Sequence, residues 1–320
     1  MKYWSKIILI ALLVCNTATL FAQTGGRDFK VVDEYVKSLG DLDSMSMGTI
    51  NNVVSNKFPD KIDRARAIYD WIAHNIKYDI KAAKSNNMAK NSTKEVLSSR
   101  KATGAGFAAL FQDMCSSADI RCLTVDGFVK NNAEQINDPA TDINHTWAVV
   151  QLGESPDEWY YVDPAWGSGY PDAEMKNFTK AFTDAYFFSE KAIFNLQHYP
   201  DNLAWKLGSA PKNKKDFYSL PVIKVVAQEM GMKKFSPNDG ILKAKLTKAV
   251  NFNYTFNAKG DITSVKLIIK DRKKIVTKDM TFTFSGGQLS FTYKFEQEGI
   301  FPVTVLVNDK ELMTYSVDVE

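Results

Sequence analysis

Two runs with a period of two constrain this chain most. His145-Thr146-Trp147-Ala148-Val149 and Trp159-Tyr160-Tyr161-Val162-Asp163 flank Gly153-Glu154-Ser155-Pro156-Asp157. The flanks alternate as half-buried strands do, and the middle has turn composition. Folded about that turn, the runs pair antiparallel. Such a register sets His145 opposite Asp163, on one face, within a residue of slippage. A histidine against a carboxylate is the base half of a nucleophilic site, because the carboxylate orients the ring that takes the proton.

The matching nucleophile belongs at a helix N-terminus, where unpaired N–H groups and the dipole lower a thiol's pKa. The stretch Lys101–Phe111, KATGAGFAALF, has that form: small residues Ala102–Gly106 open an apolar helix over Phe107–Ser117. No cysteine stands there. Cys115 lies about 16 Å further along the helix at 1.5 Å per residue, far beyond hydrogen-bond reach of a base. Cys122 falls on the strand predicted for Arg121–Val129. Thr103 carries the one hydroxyl next to the glycines.

Further upstream, Ile62, Ala65, Ile68, Ile72 and Ile76 recur at helical spacing and predict a helix over Asp60–Ile76. Shorter helices are predicted near Val32–Leu39, Ile50–Phe58 and Thr93–Leu97. From about Leu220 the character changes. Seven short alternating runs (Leu242–Lys248, Asn251–Phe256, Val265–Lys270, Thr281–Phe284, Ser290–Phe295, Val303–Val307, Leu312–Val319), with turn residues between them, predict a β-sandwich.

The first residues predict export. Lys2 and Lys6 precede the apolar run Ile7–Cys15, and Ala18 and Ala22 suit a cleavage point. That run is too short to span a bilayer, which takes about 20 residues. Three cysteines occur in 320 residues; Cys15 leaves with the leader. Export permits a bond between Cys115 and Cys122, although two buried free thiols are the plainer expectation. The formal net charge is only +3, two units of which are Lys2 and Lys6. Such a balance gives no case for nucleic acid or an anionic membrane. The three histidines lack metal-ligand spacing; His74 is expected at the surface and His198 in a structural role. No metal and no cofactor is expected.

Order and wording of these segments resemble the transglutaminase-like family, in the branch grouped with the kyphoscoliosis peptidase within the papain-like superfamily. Arg64–Ile72 with Asn75–Asp79 resembles its leading helix, and Arg100-Lys101 with Gly106–Phe111 its nucleophile helix. Asp126-Gly127-Phe128, His145-Thr146-Trp147 and Trp159–Gly167 resemble the strand end, the His motif and the Asp motif that follow. Tyr186–Phe188, His198–Pro200 and Trp205 fit the segment after the core. The likeness covers about residues 60–206.

The resemblance implies an α+β fold: a papain/transglutaminase-like domain with a helix packed on an antiparallel sheet, followed by an immunoglobulin-like β-sandwich. The expected division is a signal peptide at 1–22, the first domain at 23–212 and the sandwich at 213–320. The resemblance also places the nucleophile two residues before the Gly-aromatic-small step, at Gly104, and the remaining pair at His145 and Asp163. Trp147 and Trp166, with Tyr78 and Thr103, are candidates to line a binding cleft, although aromatics at strand spacing also build cores. The resulting expectation is an exported bacterial protein, periplasmic or extracellular, that lacks its nucleophile and binds a peptide, a protein or a cell-envelope component. The alternative is an active cysteine-type peptidase or amide acyl transferase that uses His145 and Asp163 with a different nucleophile.

Overall fold

A computed structural model describes residues 27–85, 91–152, 158–172, 175–209, 211–257, 260–271 and 274–320. The leader at 1–22 and the turn at 153–157 lie outside the described residues.

The first half is built around the helix Lys61–Asn75. Asp60 caps it, accepting hydrogen bonds from the backbone N–H of Ile62 and Asp63 at 2.7 and 3.3 Å. The sequence pattern predicts one apolar stripe here, but every residue from Ala65 to Ala73 is buried. The reason is position: the helices Lys30–Leu39 and Met47–Ser55, the helix Gly104–Ser117 and the short turn Pro164–Ser168 all pack against it. A helix covered all round needs partners for its polar residues. Arg66 finds them in Asp33 and Asp184.

The helix Gly104–Ser117 lies on an antiparallel sheet of four strands, in the order Trp159–Val162, His145–Gln151, Arg121–Val129, His198–Pro200. Phe107, Leu110, Phe111 and Met114 join Ile68, Trp71, Ile72 and Val150 in one core, all of them fully buried. Full burial is worth about 1.5–3 kcal/mol per large apolar side chain, which anchors the helix start against the sheet. The helix begins at Gly104 rather than near Phe107. Thr103 takes the cap position with extended backbone, so Gly104–Gly106 of the small-residue run lie within the helix rather than before it.

The second half forms two sheets around a shared apolar core. One orders Met232–Ser236, Ala249–Phe256, Gln288–Lys294 and Phe282–Ser285; the other orders Ile241–Ala244, Lys310–Val319, Gly299–Val307, Val265–Asp271 and Lys274–Asp279. Phe252 of the first, stacked on its neighbour Phe291, meets Tyr315 of the second, and the Tyr254 and Tyr315 hydroxyls lie 3.4 Å apart. Three strands escape the sequence pattern, among them the two-residue Val222–Ile223, which pairs with Lys310–Val319. Lys274–Asp279 is exposed on both faces except at Val276, so nothing selects an apolar alternation. In Met232–Ser236 two lysines interrupt it.

The two halves are tied together. Helix Lys214–Ser219 packs Phe217 and Tyr218 on Phe128 and Tyr199. The buried Lys130 donates from Nζ to the carbonyls of Phe217 and Leu220, both at 2.6 Å. Among the described residues, no helix is long and apolar enough to cross a membrane.

Candidate functional site

The strand His145–Gln151 pairs with Trp159–Val162 so that Ala148 faces Val162. Continued one step, that register sets Asp163 opposite Trp147, not opposite His145. The offset from the expected pairing is two residues, and an even offset preserves the face. His145 and Asp163 therefore meet on the diagonal: His145 Nε2 lies 2.7 Å from Asp163 Oδ2.

Asp163 is fully buried and has every lone pair engaged. Its Oδ1 accepts from the backbone N–H of Ala165 and of Trp166, both at 3.0 Å, capping the turn Pro164–Ser168. Its Oδ2 accepts from His145 and also from His198 Nε2 at 3.0 Å. Burial alone would raise this carboxyl, but the two imidazoles outweigh it and hold it below the ordinary carboxylate range. An ionised carboxylate only accepts, so both Nε2 atoms carry the proton, and in the neutral His145 ring the lone pair is then on Nδ1.

His198, expected in a structural role, is the second imidazole on this carboxylate. It sits on a three-residue strand paired to Arg121–Val129, 35 residues from Asp163, too short to show a period. Its ring stacks on Phe194 at 3.9 Å and tilts against Trp166 at 4.5 Å. Burial lowers its pKa to about 4, against the pull of Asp163.

The free side of His145 faces Gly104. A Cβ built on Gly104 would stand 2.6 Å from Nδ1, 2.9 Å from Cε1 and 3.4 Å from the Thr146 carbonyl. Gly104, the His145 ring and the Asp163 carboxylate thus lie in line. The imidazole stands against the helix backbone, where a side chain on Gly104 would lie. Gly104 does not need its conformational freedom, since its φ is not positive; a side chain there would instead require the ring to shift.

The other candidate nucleophiles are accounted for. Cys115 is fully buried and Cys122 is 4% exposed, both as free thiols. Burial, with the neighbouring Cys122, pushes the Cys115 thiol up, away from the reactive thiolate. The Thr103 hydroxyl donates to Asn91 Oδ1 at 2.6 Å.

Of the cleft candidates, Trp147 is a correction. It is fully buried against Val125, Val149, Tyr161 and Phe194 and offers no surface to a ligand. Its position on the central face of the sheet, opposite the end of a neighbouring strand, makes it core. Trp166 is partly exposed, with its ring 5.7 Å from His145 and perpendicular to Tyr186. Tyr78 is half-buried and stacks on Phe178 at 6.3 Å.

His145, Asp163 and His198 also have the composition of a metal site, with ligand atoms within 4.8 Å of one another. Their geometry is that of hydrogen bonds. Both Nε2 protons are committed to one oxygen, and an ion at about 2.0–2.2 Å from each ligand would have to displace them. His74, half-exposed, lies 2.9 Å from the Asp70 carboxylate, which raises its pKa.

Residues 49–164 match the family model of the transglutaminase-like superfamily. That interval holds Gly104, His145 and Asp163; His198 lies beyond it. Mouse kyphoscoliosis peptidase is 30% identical over 204 residues, 62% of this chain and 30% of that protein. The human kyphoscoliosis peptidase is 32% identical over 189 residues, 59% of this chain and 28% of that protein. A LIM and transglutaminase domain protein of Caenorhabditis elegans is 25% identical over 207 residues, 61% and 28%. The match thus spans less than a third of the length of these curated relatives.

Proposed function

We propose, from the premise that this chain carries a transglutaminase-like domain at residues 49–164, that it is an exported protein which has lost its nucleophile and serves as a binding module. The leader is removed near residue 22, the domain runs to about 212, and the remainder is an immunoglobulin-like sandwich that spaces or presents it. The ligand is a peptide, a protein or a cell-envelope component, met in the periplasm or outside the cell. Trp166 contributes the exposed aromatic face at the site.

The observation that carries the reading is the contact between Gly104 and His145. A glycine alone removes a nucleophile. A glycine whose Cβ position is 2.6 Å from Nδ1 also removes the room for one. Sulfur chemistry needs a thiolate within hydrogen-bond reach of the base, and both thiols are buried.

The test uses a thiol-directed probe of cysteine hydrolases on the full chain, read by intact and peptide mass spectrometry. No labelling above that of a denatured-then-quenched blank is expected. Labelling of Cys115 or Cys122 that disappears in His145→Ala overturns the reading in favour of an active peptidase or acyl transferase. Peptide capture on an array, lost in Trp166→Ala with an unchanged Tm, is the expected positive result.

A further inference from the structure

A separate concavity opens where the helix Lys61–Asn75 meets the helix Lys30–Leu39 and the loop around Asp184. Its volume is about 580 Å³, the size of a small-molecule site. None of Gly104, His145, Asp163, His198 and Trp166 lines it. Arg66 and Asp70, 1% and 2% exposed, lie in its wall together with Asp33 and Asp184. The Arg66 guanidinium pairs with Asp33 and with Asp184. Three carboxylates therefore stand against one buried cation. Burial raises the Asp33 carboxyl in spite of Arg66, and Asp70 and Asp184 push it the same way.

Asp70 is the carboxylate least provided for. His74 Nδ1 lies 2.9 Å from both the Asp70 carbonyl oxygen and Asp70 Oδ1. That nitrogen carries one proton at most. It is directed at the carbonyl, and among the described residues Oδ1 accepts no hydrogen bond. A buried carboxylate oxygen without a donor is costly, and this one belongs to a side chain that lines a cavity. The remaining cations of the lining are held elsewhere or screened. Arg27 lies 3.1 Å from Asp60 and 2.8 Å from Asp63, Lys30 lies 3.9 Å from Glu34, and Lys37 is exposed. Phe29, Phe182 and Phe187 supply aromatic walls, and His74 stacks on Phe182 at 4.4 Å. Carboxylates backed by aromatic rings suit a cation on an apolar stem, because the rings attract the charge as well as the stem.

We propose that this cavity binds an organic cation, a guanidinium or ammonium group on an aliphatic stem, with its head against Asp70 and Asp184 and its stem along Phe182. The head supplies the donor that Asp70 Oδ1 lacks. Such a group comes either from a free small molecule or from an arginine or lysine side chain of a peptide. The inference goes beyond the binding-module reading and stands whether or not the His145 site is catalytic.

Isothermal titration calorimetry of the full chain tests it with butylguanidinium and with N-acetylarginine amide. Butylurea, which keeps the shape of butylguanidinium and lacks the charge, is the comparison. Butylguanidinium is expected to bind at least about tenfold more tightly than butylurea. Its affinity is expected to fall on raising the salt from 50 to 200 mM. Asp70→Asn, which keeps the shape of the side chain, is expected to weaken binding at least about tenfold. Asp184→Asn, on a largely exposed side chain, is expected to weaken it about threefold. Tighter binding of N-acetylarginine amide than of butylguanidinium supports a site for a peptide side chain, and the reverse order supports a site for a free cation. Butylurea binding as tightly as butylguanidinium overturns the proposal, as does binding by neither cation. Binding unchanged in Asp184→Asn, or in an Asp70→Asn that keeps the parent Tm, overturns it too.

Discussion

Two buried charges in the first half of the molecule are stabilised in opposite ways. Asp163 is an anion enclosed by donors: two backbone N–H groups and two imidazoles, all within 3.0 Å, with no solvent contact. Arg66 is a cation, 1% exposed, that reaches outward. Its Nε and Nη2 meet Asp33 at 2.8 and 2.9 Å, and Nη2 also meets Asp184. The rings of Phe29, Tyr69, Phe182 and Phe187 surround its guanidinium within 5.6 Å. Its partners line an open cavity of about 580 Å³, and Asp184 is largely exposed. A closed cluster has no fallback when a member is removed; an open one lets water in. The first behaves as the fixed frame of a site, and the second as a tie between a helix and the surface loops.

Substituting the two centres separates them. Asp163→Ala strands four donors in a dry interior, and breaking such a cluster costs about 3–5 kcal/mol. Urea denaturation should record that loss, or failure to fold. Arg66→Met replaces a cation whose carboxylates can re-hydrate into the cavity, so about 2 kcal/mol is expected. If Arg66→Met proves the more damaging, the contrast between closed and open is wrong.

Acid reads the closed cluster separately. His198 has a folded pKa of about 4, below the value of about 6.5 for an unfolded chain. The unfolded state therefore binds the extra proton between these values, and stability falls as the pH drops from about 6.5 to about 4. Over 2.5 units the loss approaches about 3 kcal/mol at most. Asp163 adds a second loss below about pH 3.8, where the unfolded carboxyl takes a proton that the folded one refuses. Unfolding midpoints measured from pH 7 to pH 4 should decline, and His198→Phe should flatten the upper part of that slope. An unchanged slope in His198→Phe would mean that this imidazole does not carry the effect.

The same contrast governs what could be read in advance. The strands bearing His145 and Asp163, the helix from Asp60, and the seven alternating runs of the second half follow from local periodicity. Asp163 was legible because it ends a period-two run that precedes a proline. His198 and the Arg66–Asp33–Asp184 cluster were not. His198 sits on a strand of three residues, and Arg66 joins positions 33 and 184, whose meeting depends on the packing of whole elements. Trp147 was open to two readings because a strand alternation gives the face but not what covers it. Gly104 was legible as a missing side chain. That the ring stands against its backbone was not, since this depends on a distance set by helix and sheet together.

That contact is the finest test of the closed frame. An alanine in a helix is ordinarily better than glycine by about 0.5–1 kcal/mol. At Gly104 the new methyl carbon would meet the His145 ring at 2.6 Å, and the ring is held from behind by Asp163. Moving it to ordinary contact takes on the order of 1 Å, and overpacking of this kind costs about 1–3 kcal/mol. Gly104→Ala should therefore destabilise by about 1 kcal/mol net. In a His145→Ala background the same change should turn stabilising, by the ordinary helical preference. Gly104→Cys should behave like Gly104→Ala and stay unlabelled by the thiol probe, because the ring that ought to activate the sulfur occupies its path. A Gly104→Ala that stabilises the protein with His145 intact would show the imidazole free to withdraw, and would return the site to an open cleft that lacks only its sulfur.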